Sequence, residues 1–375
     1  MQRRTIIRRL TAASALLAMP ALAQTRGIVL GQSAAMSGPA KALGEEFQRG
    51  ALLMFDRINA RGGIGGRRIE LRSLDDGYEP DRCAENTRKL LGDGVTALFG
   101  YIGTPTSLAA LPLASAAGIP FIAPFTGAQA LRAPFNRHAF HVRASYFDET
   151  AEIVKQVTSV GIQRVAVFYQ NDSYGKAGLE GVTRALKALT LEPVALGTVE
   201  RNTVDVEAAA KSILAGRPDT IVQISAYKSC AAFIRRARTG GFGGTFYNVS
   251  FVGTQALADE LGGEARGVVV SQVMPFPYTP TVPVAGEYLA AGAQAEGEKF
   301  KPNYSSMEGY VAAKLMVEGL RRAGTDLSPD GLIRALESIR DFNLGGYFVD
   351  FNAQKHTGSR YVDLTILSAN GRVRR

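Results

Sequence analysis

Two spacings of apolar residues alternate along most of this chain. Short runs at 69–74, 95–101, 120–124, 164–169, 220–225, 245–249 and 267–273 are rich in aliphatic and aromatic residues and read as strands. Between them, at 81–91, 149–160, 178–189, 206–215 and 229–238, apolar residues recur every three to four positions, as in helices that bury one face. Regular alternation of this kind predicts parallel sheets covered by helices on both faces, because parallel neighbours need a long crossover. The segment 28–78 shows the unit clearly: strand, loop, helix, glycine break, strand. Phe47, Ala51, Phe55 and Ile58 keep helical spacing, and Gly62-Gly63 ends the helix. The order changes near the end. Two helical patterns, 305–323 and 329–339, come in succession, and a hairpin-like pair follows at 346–351 and 361–368, with a second turn signal at Asn370-Gly371.

Residues 1–23 stand apart from this pattern. Arg3, Arg4, Arg8 and Arg9 precede an apolar run at 10–22, and Ala21-Leu22-Ala23 is a small-x-small site before Gln24. An export leader cleaved after Ala23 is expected, too short to span a membrane. Its paired arginines suit a twin-arginine signal as well as an ordinary Sec leader. The chain after it, roughly 350 residues, exceeds what one core usually holds, so two lobes are expected. No Pro/Gly/Ser linker separates halves, which points to lobes joined by several chain crossings.

The net charge is +9, and the leader alone carries four arginines. The other basic residues are scattered, as at Arg235-Arg236, Arg321-Arg322 and Arg374-Arg375, with no aromatic-basic platform, so no nucleic-acid partner is expected. Cys83 and Cys230 lie inside helical patterns without metal-ligand spacing and read as free, buried thiols.

No G-x-S-x-G, HExxH or P-loop occurs. His138 and His141 have metal-like spacing but no acidic neighbour, and read as a loop or surface pair. Gly62-Gly63-Ile64-Gly65-Gly66 follows a helix rather than a strand, so it is a turn. No catalytic residue, metal or cofactor is expected. Binding signals are better. In a parallel sheet, ligands lie beyond the carboxyl ends of strands, where helix N-termini present free N–H groups. One strand end runs into Gly103-Thr104-Pro105, where Thr104 has N-cap chemistry and Pro105 suits the first helical position. A second runs into Phe125-Thr126-Gly127, read as another capped start, and a third into the 170–175 loop with Tyr174. Hydroxyls and backbone donors gathered there suit a carboxylate. Phe125, Tyr146, Tyr174 and Tyr227 fall just past strand ends and are expected on loops, as walls of the site.

Several motifs together carry a family resemblance: Met36-Ser37-Gly38-Pro39, Gly44, Gly50-Ala51, Ile58-Asn59-Ala60-Arg61-Gly62-Gly63-Ile64, Asp75-Asp76, Ile119-Pro120-Phe121-Ile122-Ala123-Pro124, Asp172-x-Tyr174-Gly175 and Glu308-Gly309-Tyr310. With them the chain resembles the branched-chain amino-acid type of periplasmic binding protein, the class I Venus-flytrap receptor of ABC importers. The resemblance implies two doubly wound α/β lobes joined by three crossings, one at 26–145 plus 274–345, the other at 146–273 plus 346–375. It implies a monomeric receptor whose closure on a ligand is read by permease subunits in the inner membrane. Thr104 falls where the family has a hydroxyl residue on the ligand carboxylate. Phe125-Thr126-Gly127 falls where it often has Ala-Ala-Thr, and Tyr174 matches a cleft tyrosine. Ser250 stands where amino-acid receptors carry a glutamate for the ligand ammonium, and Leu43 replaces an aromatic of their side-chain pocket. Asp148 and Arg143 are further charges near these positions; Asp148 reads equally as a helix N-cap and Arg143 equally as a structural ion pair. The expected ligand is a small carboxylate: an aromatic or aliphatic acid ahead of an amino acid. A ligand-sensing receptor domain is the alternative to a transport role.

Overall fold

The structure, a computed structural model, describes residues 27–375; the expected leader and its cleavage site lie outside them. The first sheet has strand order β2-β1-β3-β4-β5, all parallel, from β1 (Ile28–Ala34), β2 (Ile69–Asp75), β3 (Ala97–Phe99), β4 (Phe121–Ile122) and β5 (Ala139–Phe140). Helices α1 (Lys41–Asn59), α2 (Pro80–Gly92) and α3 (Thr104–Ala116) connect its strands. The chain then enters a second unit: α4 (Tyr146–Ser159), β6 (Val165–Gln170), α5 (Ser173–Lys187), β7 (Ala195–Val199), α6 (Glu207–Ala215), β8 (Thr220–Ile224), α7 (Tyr227–Thr239), β9 (Thr245–Asn248), α8 (Thr254–Leu261) and β10 (Val269–Gln272). It returns to the first with α9 (Pro283–Glu296), α10 (Tyr304–Ala323), α11 (Pro329–Glu337) and the short pair β11 (Phe342–Asn343) and β12 (Phe348–Val349). Finally β13 (Asp363–Leu367) and β14 (Val373–Arg374) add antiparallel strands to the second sheet, whose order is β14-β13-β10-β9-β8-β6-β7. The chain therefore passes between two α/β lobes three times.

Two expectations about the end of the chain change. Residues 346–351 and 361–368 do not pair: β12 pairs with β11, and β13 pairs with β10 and β14. The Asn370-Gly371 turn does join two strands, β13 and β14. The expected hand-over at residue 346 also moves. Phe351 donates its N–H to Ile339 (2.8 Å), Gly358 donates to His141 (2.7 Å), and His141 donates to His356 (2.8 Å). The His356 ring stacks on Phe140 of β5 at 3.8 Å. Residues 348–358 thus stay with the first sheet, and the last crossing follows them. His141 is itself buried and bonds the Leu131 carbonyl (2.9 Å), so the His pair is not a surface pair. Cys83 and Cys230 are free and buried, as expected.

Alternation hid α8, α9 and β7, because small residues dominate α9 (PVAGEYLAAGAQAE) and leave no sharp apolar stripe. The first lobe is closed by α10 lying on α1 at backbone contact. A side chain at Gly50 would meet the Ser306 carbonyl at 1.7 Å, and one at Gly309 would meet the Phe47 carbonyl at 2.0 Å. Elsewhere a helical Gly→Ala change stabilises by up to ~1 kcal/mol through propensity. At Gly50 the close approach decides the sign: Gly50→Ala is expected to lose ~1–3 kcal/mol by overpacking. Gly92→Ala, where nothing lies within 4 Å, should be neutral or stabilising. Urea unfolding midpoints of the two variants test this.

Candidate ligand cleft

The carboxyl ends of β3 and β4 in the first lobe face the ends of β6, β8 and β9 in the second. Gly103, not Thr104, is the N-cap of α3; Thr104 and Pro105 are its first two residues. Gly103 has φ +94°, and a Cβ there would lie 2.2 Å from the Tyr78 ring, so only glycine lets Tyr78 pack on this turn. Freed from capping, the Thr104 hydroxyl bonds the Thr126 hydroxyl at 2.7 Å. Thr126 also donates to the Tyr146 phenol (3.4 Å) and accepts from the Ala128 N–H (3.2 Å). No helix starts at Phe125-Thr126-Gly127; the segment is an extended loop before a short 3-10 turn at Gln129–Leu131. Gly127 lets Tyr146 approach, since a Cβ would lie 2.6 Å from the Tyr146 nitrogen, and its carbonyl accepts that N–H at 2.8 Å.

Tyr146, Tyr174 and Tyr227 are first or second residues of α4, α5 and α7 rather than loop residues, and all are buried. Tyr146 and Tyr174 lie 5.5 Å apart, ring to ring. Burial pushes the Tyr146 phenol up to about 12, against the pull of Arg143. Asp172 caps α5 by accepting the Tyr174 N–H at 2.9 Å. Tyr227 approaches the Ala42 backbone at the start of α1, and Leu43 lies against Gly253 of the other lobe, so these two form a separate stretch of the interface. The structure brings Thr104, Phe125, Thr126, Gly127, Tyr146, Tyr174 and Ser250 into one neighbourhood.

Sequence reasoning passed over two aromatic residues there. Phe251, on a single 3-10 turn (Ser250–Val252) after β9, is fully buried. Its ring lies 4.6 Å from Tyr174, 5.5 Å from Phe125 and 5.9 Å from Tyr78. Tyr78 is held at φ +64° by Asp76, which accepts its N–H at 2.8 Å. The Asp75-Asp76 motif was legible, but nothing in it announces that the next-but-one side chain enters the cleft.

Beside the rings lies a buried charge cluster. Arg143, 1 % exposed, pairs with Glu149 (3.2 Å) and Glu308 (3.5 Å) and donates to the Ser250 hydroxyl. The other Glu149 oxygen accepts the Ser250 N–H (2.8 Å) and the Ser271 hydroxyl (2.6 Å). Of the two open readings of Arg143, the structural ion pair holds. Asp148 is not an N-cap: Ser145 caps α4, Asp148 completes its capping box, and Arg360 pairs with it at 2.9 Å. A cavity of only about 10 Å³, room for one water, remains between Phe125, Ser250, Gln272, Met274, Tyr304 and Glu308. The Tyr304 hydroxyl and Arg143 Nη1 have no hydrogen-bond partner. Burial pushes the Glu308 carboxyl up to about 7, with Arg143 opposing. At the rim, Arg201 and Asn202 of the second lobe reach Glu79 of the first at 2.8 and 2.7 Å. Among the described residues no cluster could hold a metal ion, and no helix is long and apolar enough to cross a membrane.

Two α/β lobes, three crossings and a cleft lined by hydroxyls and aromatic rings define a two-lobed solute receptor. The chain belongs to the periplasmic binding protein family, whose model matches residues 27–372. It is similar to the Leu/Ile/Val-binding protein homolog 7 of Brucella abortus (strain 2308), 24% identical over 317 residues, covering 79% of this chain and 77% of that one. Among solved structures it resembles a possible leucine/isoleucine/valine-binding protein from Rhodopirellula baltica SH 1, at 33% identity and TM-score 0.89, covering 92% and 95% of the two chains. A substrate-binding periplasmic protein from Ralstonia solanacearum matches at 31% identity and TM-score 0.87, covering 92% and 99%. A fatty acid ABC transporter substrate-binding protein from Thermomonospora curvata shares the fold at 21% identity and TM-score 0.83, covering 93% and 90%.

Removing Arg143 would leave two buried carboxyls without their cation. Arg143→Met is expected to cost ~3–5 kcal/mol, read from urea midpoints. Glu308 gives a pH signature. The folded protein holds this proton up to about 7, whereas the unfolded chain releases it near 4.5. Its contribution to stability is therefore full below that range and lost as pH rises towards 7. Burial also raises Asp76, to about 6, so the comparison must be a difference. Glu308→Gln should flatten the fall in melting temperature between pH 5 and 7 relative to wild type, and an unchanged profile would remove Glu308 as its source.

Proposed function

We propose that this protein is the substrate-binding component of an ABC importer, exported to the periplasm by its leader. It captures a small carboxylate-bearing solute between its lobes, delivers it to the permease and performs no chemistry on it. One observation carries the ligand class: the Thr104, Thr126 and Tyr146 hydroxyls meet within hydrogen-bonding distance at the lobe junction, beside aromatic rings. Such a cluster can turn its protons onto an anion, and each bond to a charged group contributes ~1.5–3 kcal/mol. Phe125 and Tyr174 wall the body of the ligand, and the Gly127 backbone lets Tyr146 close on it.

An α-amino acid fits less well. Ser250 offers no charge to an ammonium, Glu149 is already engaged by Arg143, Ser250 and Ser271, and Asp148 by Ser145 and Arg360. A buried ammonium without a carboxylate is expensive. An aromatic or aliphatic acid is therefore preferred.

Thermal-shift screening against amino acids, aromatic acids and aliphatic acids should find a stabilising acid, since binding to the native state raises the melting temperature by mass action. Stabilisation by α-amino acids alone would overturn the ligand class, and turnover of the bound acid would overturn the binding role. With the identified acid, Thr104→Ala should weaken binding by about 10–100-fold. Undiminished titration calorimetry would remove Thr104 as an anchor.

A further inference from the structure

The Phe251 ring is fully buried where the two lobes meet. Tyr78 and Phe125 come from strand ends of the first lobe and Tyr174 from the second, and all three turn rings towards it at tilts of 38°, 43° and 57°. These are the offset and edge-on geometries that aromatic quadrupoles favour. The box adjoins the hydroxyl cluster on two sides: Phe125 precedes Thr126, and Tyr174 touches Tyr146, whose phenol bonds Thr126. The cavity on the Ser250 and Glu308 side of Phe125 holds only about 10 Å³, far less than the ~300 Å³ or more of a usual ligand pocket. An aromatic body held between the lobes beside the hydroxyls competes with this ring for its contacts with Tyr78, Phe125 and Tyr174.

The turn carrying Phe251 is fixed on both sides of the ring. Ser250 is tied by its N–H to Glu149 and by its hydroxyl to Arg143. Gly253 follows at φ +80°, and a Cβ there would lie 2.5 Å from Leu43 of the other lobe. Separation of the lobes withdraws Tyr78, Phe125 and Leu43 together, leaving the Phe251 side chain against its own lobe only.

We propose that Phe251 is a gate and specificity residue: its phenyl ring holds the ligand's place between the lobes, and the ligand is an acid whose planar aromatic ring displaces it. The proposal rests on the carboxylate reading above and goes beyond it by naming the body of the ligand and the residue that yields to it.

The chain contains no tryptophan, so Phe251→Trp introduces a single indole whose emission reports its surroundings. Benzoate is the probe. Saturating benzoate should move the emission to longer wavelength as the indole is expelled into water; emission that stays put at saturation overturns the gate. Phe251→Ala should bind benzoate about tenfold or more tightly than wild type, because no side chain competes for the box. Weaker binding by a folded Phe251→Ala protein makes Phe251 a fixed wall and overturns the gate. Phe251→Leu covers the case in which Phe251→Ala does not fold: it should also bind benzoate more tightly than wild type, and weaker binding again overturns the proposal. Benzene separates the two readings, since it has no carboxylate. It should raise the melting temperature of Phe251→Ala and not of wild type, whether or not any acid binds. Binding of isovalerate without benzoate, in wild type, Phe251→Ala and Phe251→Leu, would leave the carboxylate site standing and overturn the aromatic ligand.

Discussion

Arg143 sits where the chain first leaves the first sheet for the second, with almost no exposure to solvent. An isolated guanidinium in such a place would cost several kcal/mol, so its surroundings are constrained to supply charge. They do so from both lobes. Glu149 comes from the first turn of α4, Glu308 from α10, and the Ser250 hydroxyl from the turn after β9. Because Glu149 also accepts from Ser250 and Ser271, one ion set fixes a crossing segment, the end of β9, strand β10 and the helix that covers the first lobe. Two carboxyls share one strongly paired cation here. The second nearby cation, Arg132, is itself lowered to about 10 by burial and by repulsion from Arg143. Glu308, the more weakly held carboxyl, is the one left to keep a proton near neutrality.

This arrangement also explains the chemistry left over for a ligand. Glu149 and Asp148 near the cleft are engaged by Arg143, Arg360 and backbone N–H groups, while the hydroxyls of Thr104, Thr126 and Tyr146 bond mainly one another. Hydroxyls that satisfy each other can be redirected to an anion with little desolvation loss, whereas a carboxylate already paired cannot be turned to an ammonium without stranding its cation. The proposed preference for an acid over a zwitterion thus has a reason that lies outside the ligand's own contacts.

Most of the scaffold was legible in the sequence. Strand runs and helical spacing located seven strands to within a few residues, because parallel strands buried on both faces are nearly continuous apolar runs. The failures have physical causes. The apolar residues at 346–351 read as half of a hairpin, yet Val349 and Phe351 bury against the first lobe, and a two-residue strand pairs with β11 instead. The cleft was legible where strand ends meet hydroxyls, at Thr104 and Thr126. Tyr78, Phe251 and Glu308 were invisible as a group, since their meeting depends on how the lobes face each other, which no local spacing encodes. Thr104 shows a finer limit. Its residue type suits a cap, but Gly103 takes that role because Tyr78 needs the space above it.

Away from the buried Arg143 cluster, lobe closure in this protein rests more on aromatic contact than on charge. The rim pairing of Arg201 and Asn202 with Glu79 is partly solvent-exposed, and exposed ion pairs contribute ~0–1 kcal/mol. Aromatic contacts contribute ~0.5–1.5 kcal/mol each beyond the area they bury, and the Phe251 ring makes two of them across the lobe boundary, to Tyr78 and Phe125. An occupant can favour closure only by touching both lobes better in the closed arrangement than in the open one. A ring that merely replaced Phe251 would restore those contacts and add nothing. On the proposed reading, the advantage comes from what Phe251 lacks, an anionic group that the Thr104 and Thr126 hydroxyls of the first lobe and Tyr146 of the second can grip together. On that proposal, the phenylalanine between the lobes sets the standard that a solute has to exceed.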